Sequence, residues 1–360
     1  VSRIGEDVAF FEENESANLT ISRMILHVVR GVAQGGNEIP FEAQEELPVL
    51  EAAEFFIKRV TASAASGVHT FNAGSPTKAL IAEICREGEF EAQAQELSRR
   101  FYDGHNGQAA AGAFFVLLLE CDEPDTQFVC LVKYDYRNAV ELHDQDGRVG
   151  LRAIVQAFVA DKKAIQKFCV ARVRNGVVEA EVSASDRSGK SPDLTHYFQT
   201  FLDVKRERDT QELSRDLREV IRGTLEKCKD LLPNGNVPQA VNRVNDSLRG
   251  QENVNGEIIE RAILASVERH DDEVAVEQLR SQLQRQIKAK RLEGVEFRPD
   301  RGVFRKPPKR RIKTQEGVEV TYSTSLEDIN VIERPLEGGG REIVITTNND
   351  DYSEDRTIRD

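Results

Sequence analysis

Tryptophan is absent, methionine occurs once, and the 5 cysteines (Cys85, Cys121, Cys130, Cys169, Cys228) are an odd, scattered set. Cysteines so placed neither frame a disulfide scaffold nor pair as Cys-x-x-Cys. They read as reduced thiols of a cytosolic protein. The 6 histidines, at positions 27, 69, 105, 143, 196 and 270, are equally dispersed. No metal site and no cofactor is expected from them. No run of 18 or more apolar residues exists, which excludes a spanning helix; the most apolar stretch, AAAGAFFVLLLE around Phe114, is strand-length. A basic leader followed by an apolar segment is also missing, so no secretory signal is expected.

Signatures of chemistry are lacking too. Gly189-Lys190-Ser191 has the tail of a phosphate loop, but Ala184 stands where its first glycine belongs. There is no Gly-x-Ser-x-Gly elbow and no kinase signature. Pro124-Asp125 followed by Cys130-Leu131-Val132-Lys133 approaches a restriction-type nuclease pattern, yet Cys130 or Leu131 fills the place of the second carboxylate. Glu179 and Glu181 share a strand face with no lysine at the needed spacing, and read as a solvated face. His196-Tyr197 reads as structural. No catalytic residue and no metal ligand is therefore named, and a non-enzymatic protein is the better expectation.

What the chain does have is charge with a sharp asymmetry. The formal net charge is −13, with 49 Lys+Arg against 62 Asp+Glu. From Arg285 to Lys313 twelve basic residues face only Glu293, Glu296 and Asp300, a local charge of +9. The remainder carries −22. A positive stretch on a negative body suits a polyanion approaching from one direction, and the acidic mean argues against a histone-like coat. Phe297 and Phe304 lie among these cations. They would either stack on exposed bases or anchor the stretch to a core; anchoring is the stronger expectation.

Periodicity places the elements. Residues 18–30 read as a strand, and GVAQGGNEIP after it as a loop. Pro48–Ala65 reads as a helix, Ser75-Pro76-Thr77 as a capped helix start, and Phe90–Tyr102 as a further helix. Residues 113–120 and 127–134 form an expected hairpin, as do 167–173 and 177–185, the latter around Asn175-Gly176. An antiparallel sheet with flanking helices follows, an α+β fold. Leu213, Leu217, Val220, Ile221, Leu225 and Cys228 predict a helix, ended by LLPNGNVPQ; Ile258–Val267 and Val274–Ile287 predict two more. Prolines 299, 307 and 308 interrupt the basic stretch, and strands are expected at 318–322, 329–333 and 341–346. The expected organisation is an α+β domain over 1–205, a helical module over 206–292, a basic segment with a small C-terminal β subdomain over 293–347, and a disordered acidic tail over 348–360.

Four stretches carry a family likeness: ISRMILHVVRG (21–31), PTKALIAEICREGEFEAQAQELSRRFYDG (76–104), CVARVRNGVVEAEV with HYFQTFLDVKRERDTQELSRDL (169–182 and 196–217), and VTYSTSLEDINVIERP (320–335). Together they resemble the bacterial nucleoid-associated protein family of the YejK type. The resemblance implies a cytoplasmic, nucleoid-located, non-enzymatic protein that binds DNA and works beside other DNA-handling machinery. Joined to the charge pattern, it nominates Arg298, Arg301, Arg305, Lys306, Lys309, Arg310, Arg311 and Lys313 as phosphate contacts that position backbone without reading bases. A homodimer is expected, since two patches on one duplex raise affinity through effective concentration. The competing readings are a nuclease or other DNA-binding effector of phage defence, and a protein-interaction adaptor.

Overall fold

The computed structural model describes residues 10–29, 40–49, 53–104, 111–135, 137–145, 148–159, 161–267, 272–305, 309–323 and 331–346. They fall into two compact units, Val1–Asp209 with Arg291–Arg298, and Thr210–Lys290 with Pro299–Asp360. Most of the glycine-rich loop (31–39), Lys306 with Pro307 and Pro308, and the tail 348–360 lie outside the described residues.

The first unit contains α1 (Glu13–Ser16), β1 (Thr20–Val29), β2 (Glu46–Leu47), α2 (Ala53–Ser63), β3 (His69–Phe71), α3 (Pro76–Ile84), α4 (Phe90–Gly104), β4 (Gly112–Glu120), β5 (Thr126–Tyr134), β6 (Arg137–Gln145), β7 (Arg148–Ala157), β8 (Ile165–Arg174), β9 (Val177–Asp186), α5 (His196–Leu202) and β10 (Val204–Arg206). Eight strands form one sheet in the order β10-β3-β9-β8-β5-β4-β1-β2, every pairing antiparallel. This is the α+β architecture that the alternating pattern predicts.

Two local signals explain much of the topology. Asn175 and Gly176, at φ 53° and 71°, close the β8–β9 hairpin, because Asn and Gly tolerate the left-handed region that a tight hairpin turn needs. The Ser75 hydroxyl accepts a bond from the Lys78 amide at 3.2 Å and caps α3, with Pro76 in the first turn.

Strands β4 and β5 are buried on both faces. Phe114, Val116, Leu118, Val129 and Leu131 meet α3, α4 and α5 through Ile81, Ile84, Leu97, Phe101, Phe198 and Phe201. Phe115, Leu117, Leu119, Phe128, Cys130 and Val132 meet α2 and the Phe10-Phe11 segment. Two-sided burial is why these strands read as continuous apolar runs.

The segment 40–49 lies along β1 and α4. Phe41 stacks on His27 at 5.0 Å, and the Gln44 amide donates to His27 Nε2 at 3.2 Å. Gln95 donates to the Gln44 carbonyl, and the Glu46 amide to Glu91. Burial pushes the His27 pKa down to about 4. His69 on β3 is also held at about 4, by burial first and by Arg206 second. A free histidine titrates near 6.5. The unfolded chain therefore binds more protons between these values, and the stability these residues contribute is complete above pH 6.5 and lost as pH falls toward 4. The loss is expected to reach about 3 kcal/mol per histidine at 1.36 kcal/mol per unit. Urea unfolding at about pH 7 and about pH 4.5 reads it, and His27→Gln should flatten the dependence. A variant as acid-sensitive as the wild type would contradict this assignment.

The second unit holds four helices, α6 (Thr210–Lys227), α7 (Val237–Arg249), α8 (Gly256–Leu264) and α9 (Glu273–Ala289). Two hairpins follow, β11 (Lys309–Lys313) with β12 (Glu319–Ser323), and β13 (Val331–Pro335) with β14 (Arg341–Ile345). The apolar stripe of α6 (Leu213, Leu217, Val220, Ile221, Leu225) is fully buried, as are Val244 and Leu248 of α7, Ile263 of α8 and Leu279 of α9. Asn236, Asn255 and Asp272 cap α7, α8 and α9 with side-chain acceptors. Gly223 permits close approach of α6 and α9: a Cβ there would lie 2.8 Å from Gln286 Oε1.

Three features depart from the sequence-based expectation. The β6–β7 hairpin forms its own two-stranded sheet where no element is expected. Helix α7 occupies part of what reads as a terminating loop, because Asn236 caps it and Pro238 sits in its first turn. Strand β11 lies inside the basic stretch.

Candidate nucleic-acid interface

The structure distributes the eight nominated cations over both units. Arg298 belongs to the first. The preceding Phe297 is 1% exposed and thus anchors the segment, and the Ser191 hydroxyl donates to the Glu296 carbonyl at 2.8 Å. Arg298 follows as an exposed side chain. The neighbouring loop 186–193 is not a phosphate cradle. Its Arg187, Ser188, Gly189 and Asp193 amides are spent on Gln166, on Asp186 and on Lys190. A phosphate loop needs such amides free.

Arg301 and Arg305 sit on residues 299–305 of the second unit, and this loop is pinned. The Asp300 amide donates to Ser214 Oγ at 2.9 Å, and Asp300 Oδ1 accepts from the Val303 amide at 2.9 Å. Arg218 on α6 donates to the Val303 carbonyl at 3.1 Å, and Arg249 at the end of α7 to the Phe304 carbonyl at 2.8 Å. Phe304 is 1% exposed, so it too anchors and does not stack on a ligand. Arg301 and Arg305 remain exposed on a backbone held from both sides. Holding the backbone lowers the entropy lost on ordering a contact loop. Ser214, Arg218 and Arg249 are thus positioning residues. The sequence reading misses them, because contacts from a helix to a distant carbonyl leave no local pattern.

Lys309, Arg310, Arg311 and Lys313 lie on β11. Strand alternation puts Lys309, Arg311 and Lys313 on one face, all exposed, and Arg310 with Ile312 on the other, half-buried. At about 3.4 Å per residue the exposed cations recur every 7 Å or so. Two of the four are ion-paired. Arg310 meets Glu333 at 3.0 Å; Arg341 and the Tyr322 hydroxyl also reach Glu333. Arg311 is held by both oxygens of Glu319, which raises the guanidinium pKa. Arg298, Arg301, Arg305, Lys309 and Lys313 make no ion pair among the described residues. Lys306 lies outside them.

The other readings find little geometry. Asp125 is in the β4–β5 turn at φ 53°, its carbonyl accepting from the Asn175 amide, while Cys130 and Leu131 are fully buried. Glu179 meets Arg172 and Arg174, and Glu181 meets Arg291, so both carboxylates are engaged. The Tyr197 hydroxyl donates to the Phe101 carbonyl, a structural role. Burial raises the thiol pKa of Cys85 to about 12, and raises Cys130 and Cys169 further from ordinary thiol behaviour. Among the described residues no group of three His, Cys, Asp or Glu side chains could hold a metal, and no helix is long and apolar enough to cross a membrane.

Comparison with known proteins adds one finding. A family model described as nucleoid-associated protein YejK matches residues 25–360. A search of curated proteins returns no match.

Proposed function

Since the chain belongs to the nucleoid-associated protein YejK family, we propose that it binds DNA through phosphate contacts of Arg298, Arg301, Arg305, Lys306, Lys309, Arg310, Arg311 and Lys313, largely without regard to base sequence. The observation that carries this reading is the exposed face of β11, where Lys309, Arg311 and Lys313 alternate on a regular strand. Cations fixed at regular intervals can follow a polyphosphate chain, whereas a solvated linker would scatter them. The pinned loop bearing Arg301 and Arg305 supports the same reading.

Binding of this kind releases counterions, and log K falls linearly with log salt by about 0.9 per contact. The test is titration of a labelled mixed-sequence duplex from about 50 to about 200 mM salt, with unrelated duplexes as competitors. The expected result is a steep slope and near-equal competition by all duplexes. A slope near zero, or cleavage of the DNA on adding Mg²⁺ or Mn²⁺, would overturn the reading, and cleavage would favour the nuclease alternative. The homodimer, the partners in DNA handling and a role in phage defence extend the same proposal and rest on the family likeness. Sedimentation with and without duplex reads the first of them.

A further inference from the structure

Of the three cations on the exposed face of β11, the middle one is already occupied. Arg311 Nη2 lies 2.5 Å from Glu319 Oε2, and Arg311 Nε contacts Oε1 of the same carboxylate. The pairing is two-pronged: two parallel N–H donors meet two oxygens. A backbone phosphate offers the same two-oxygen acceptor to the same fork. Glu319 stands directly opposite Lys313 in the β11–β12 register, so it shares the face that carries Lys309, Arg311 and Lys313.

The pair is displaceable. The Arg311 side chain is 67% exposed and that of Glu319 36% exposed. Exposed pairs are worth about 0–1 kcal/mol. A carboxylate at this site therefore holds the guanidinium oriented at small cost, and yields when a denser array of negative charge arrives.

We propose that Glu319 is an intramolecular stand-in for a DNA phosphate, occupying the Arg311 fork and setting how dense a polyanion must be to claim it. The inference rests on the phosphate-contact reading above. In the free protein Arg311 is oriented but neutralised. On a duplex the Glu319 carboxylate swings out, and the phosphate takes over both N–H donors. Weak or isolated anions do not displace Glu319, so the face answers to polyphosphate chains and not to single anions.

The experiment compares wild type, Glu319→Gln, Glu316→Gln and Arg311→Ala/Glu319→Gln on a labelled mixed-sequence duplex over a salt series. Glu316 lies in the same hairpin's turn and is exposed, so its replacement removes the same charge without touching the Arg311 fork. Glu319→Gln is expected to bind more tightly. Its salt slope should be steeper by about 0.9, one further contact, so that the gain at about 50 mM exceeds that at about 200 mM roughly threefold. Removing Arg311 from that variant should return the slope to the wild-type value. Equal effects of Glu316→Gln and Glu319→Gln would overturn the proposal, as would an unchanged slope or weaker binding by Glu319→Gln. Wild-type binding that ignores salt would instead sink the phosphate reading itself, whatever Glu319 does.

Discussion

Asp186→Asn is expected to destabilise the first unit by about 3–5 kcal/mol, the range for removing one partner of a buried ion pair. The reason is a cationic pair inside the fold. Lys133 on β5 and Lys167 on β8 are cross-strand partners, 1% and 5% exposed. Lys167 Nζ lies 2.6 Å from Asp186 Oδ2, and the Asp186 side chain is completely buried. Burial raises the Asp186 carboxyl pKa, but bonds from Lys167 and Thr195 outweigh it and hold the group below its usual range. The same carboxylate accepts from the Ser188 and Thr195 amides at 3.0 Å each, so it also closes the β9–α5 loop.

An asparagine keeps part of that loop geometry but leaves two buried ammonium groups facing each other. Urea unfolding measures the loss. Lys167→Met/Asp186→Leu should recover much of it, because well-packed apolar residues replace a buried pair at little net cost. An Asp186→Asn midpoint close to wild type would contradict this account. The alkaline limb tests it again. Burial, then Lys167, pushes the Lys133 pKa down to about 8. An unfolded lysine titrates near 10.4, so the penalty of burying Lys133 charged is complete below about pH 8 and relieved as pH rises toward 10.4. Stability in that window is expected to rise with pH from this residue, and Lys133→Met should remove that rise.

Replacing Arg298, Arg301, Arg305, Lys309 and Lys313 together by glutamine is expected to reduce the DNA salt slope by about 4 to 5, at about 0.9 per phosphate contact. A change of that size removes a detectable shift at physiological salt. These five are exposed and make no ion pair among the described residues, so folding should be nearly untouched. Thermal melts of the same preparation check that. Retained slope with an intact fold would place the DNA elsewhere on the molecule. Smaller subsets should give proportionate slopes, because phosphate contacts act as counterion sites and not as one cooperative lock.

The sequence makes the sheet legible where burial writes a simple code. Gly112–Glu120 and Thr126–Tyr134 are apolar on both faces and are bounded by turn residues, and Asn175-Gly176 fixes the next hairpin. Short strands escape notice: His69–Phe71 and Val204–Arg206 have too few residues for a period to register. The β6–β7 hairpin brackets Asp146-Gly147, a turn signal present in the sequence and passed over because its flanks mix charged and apolar residues. Helix α7 is hidden by Pro238, which reads as a breaker unless Asn236 is recognised as the cap before it. Of the interface, the cations are visible as composition, whereas their pairing is not. Arg310 meets Glu333 some twenty residues on, and Arg249 reaches Phe304 across 55 positions. Lys133 reads as the polar end of a strand, although tertiary packing buries it.

The two-faced burial of β4 has a consequence for how the chain is made. AFFVLLL leaves the ribosome with neither of its apolar sides complete, because α5 and β8 are still to be synthesised. At about 5–20 residues per second, the roughly 80 residues from Glu120 to Leu202 take about 4–16 s. Over that interval the nascent polypeptide presents a sticky, extended segment to its surroundings. Its yield on overexpression should therefore depend on holdase chaperones and on synthesis temperature more than the stability of the finished protein would suggest.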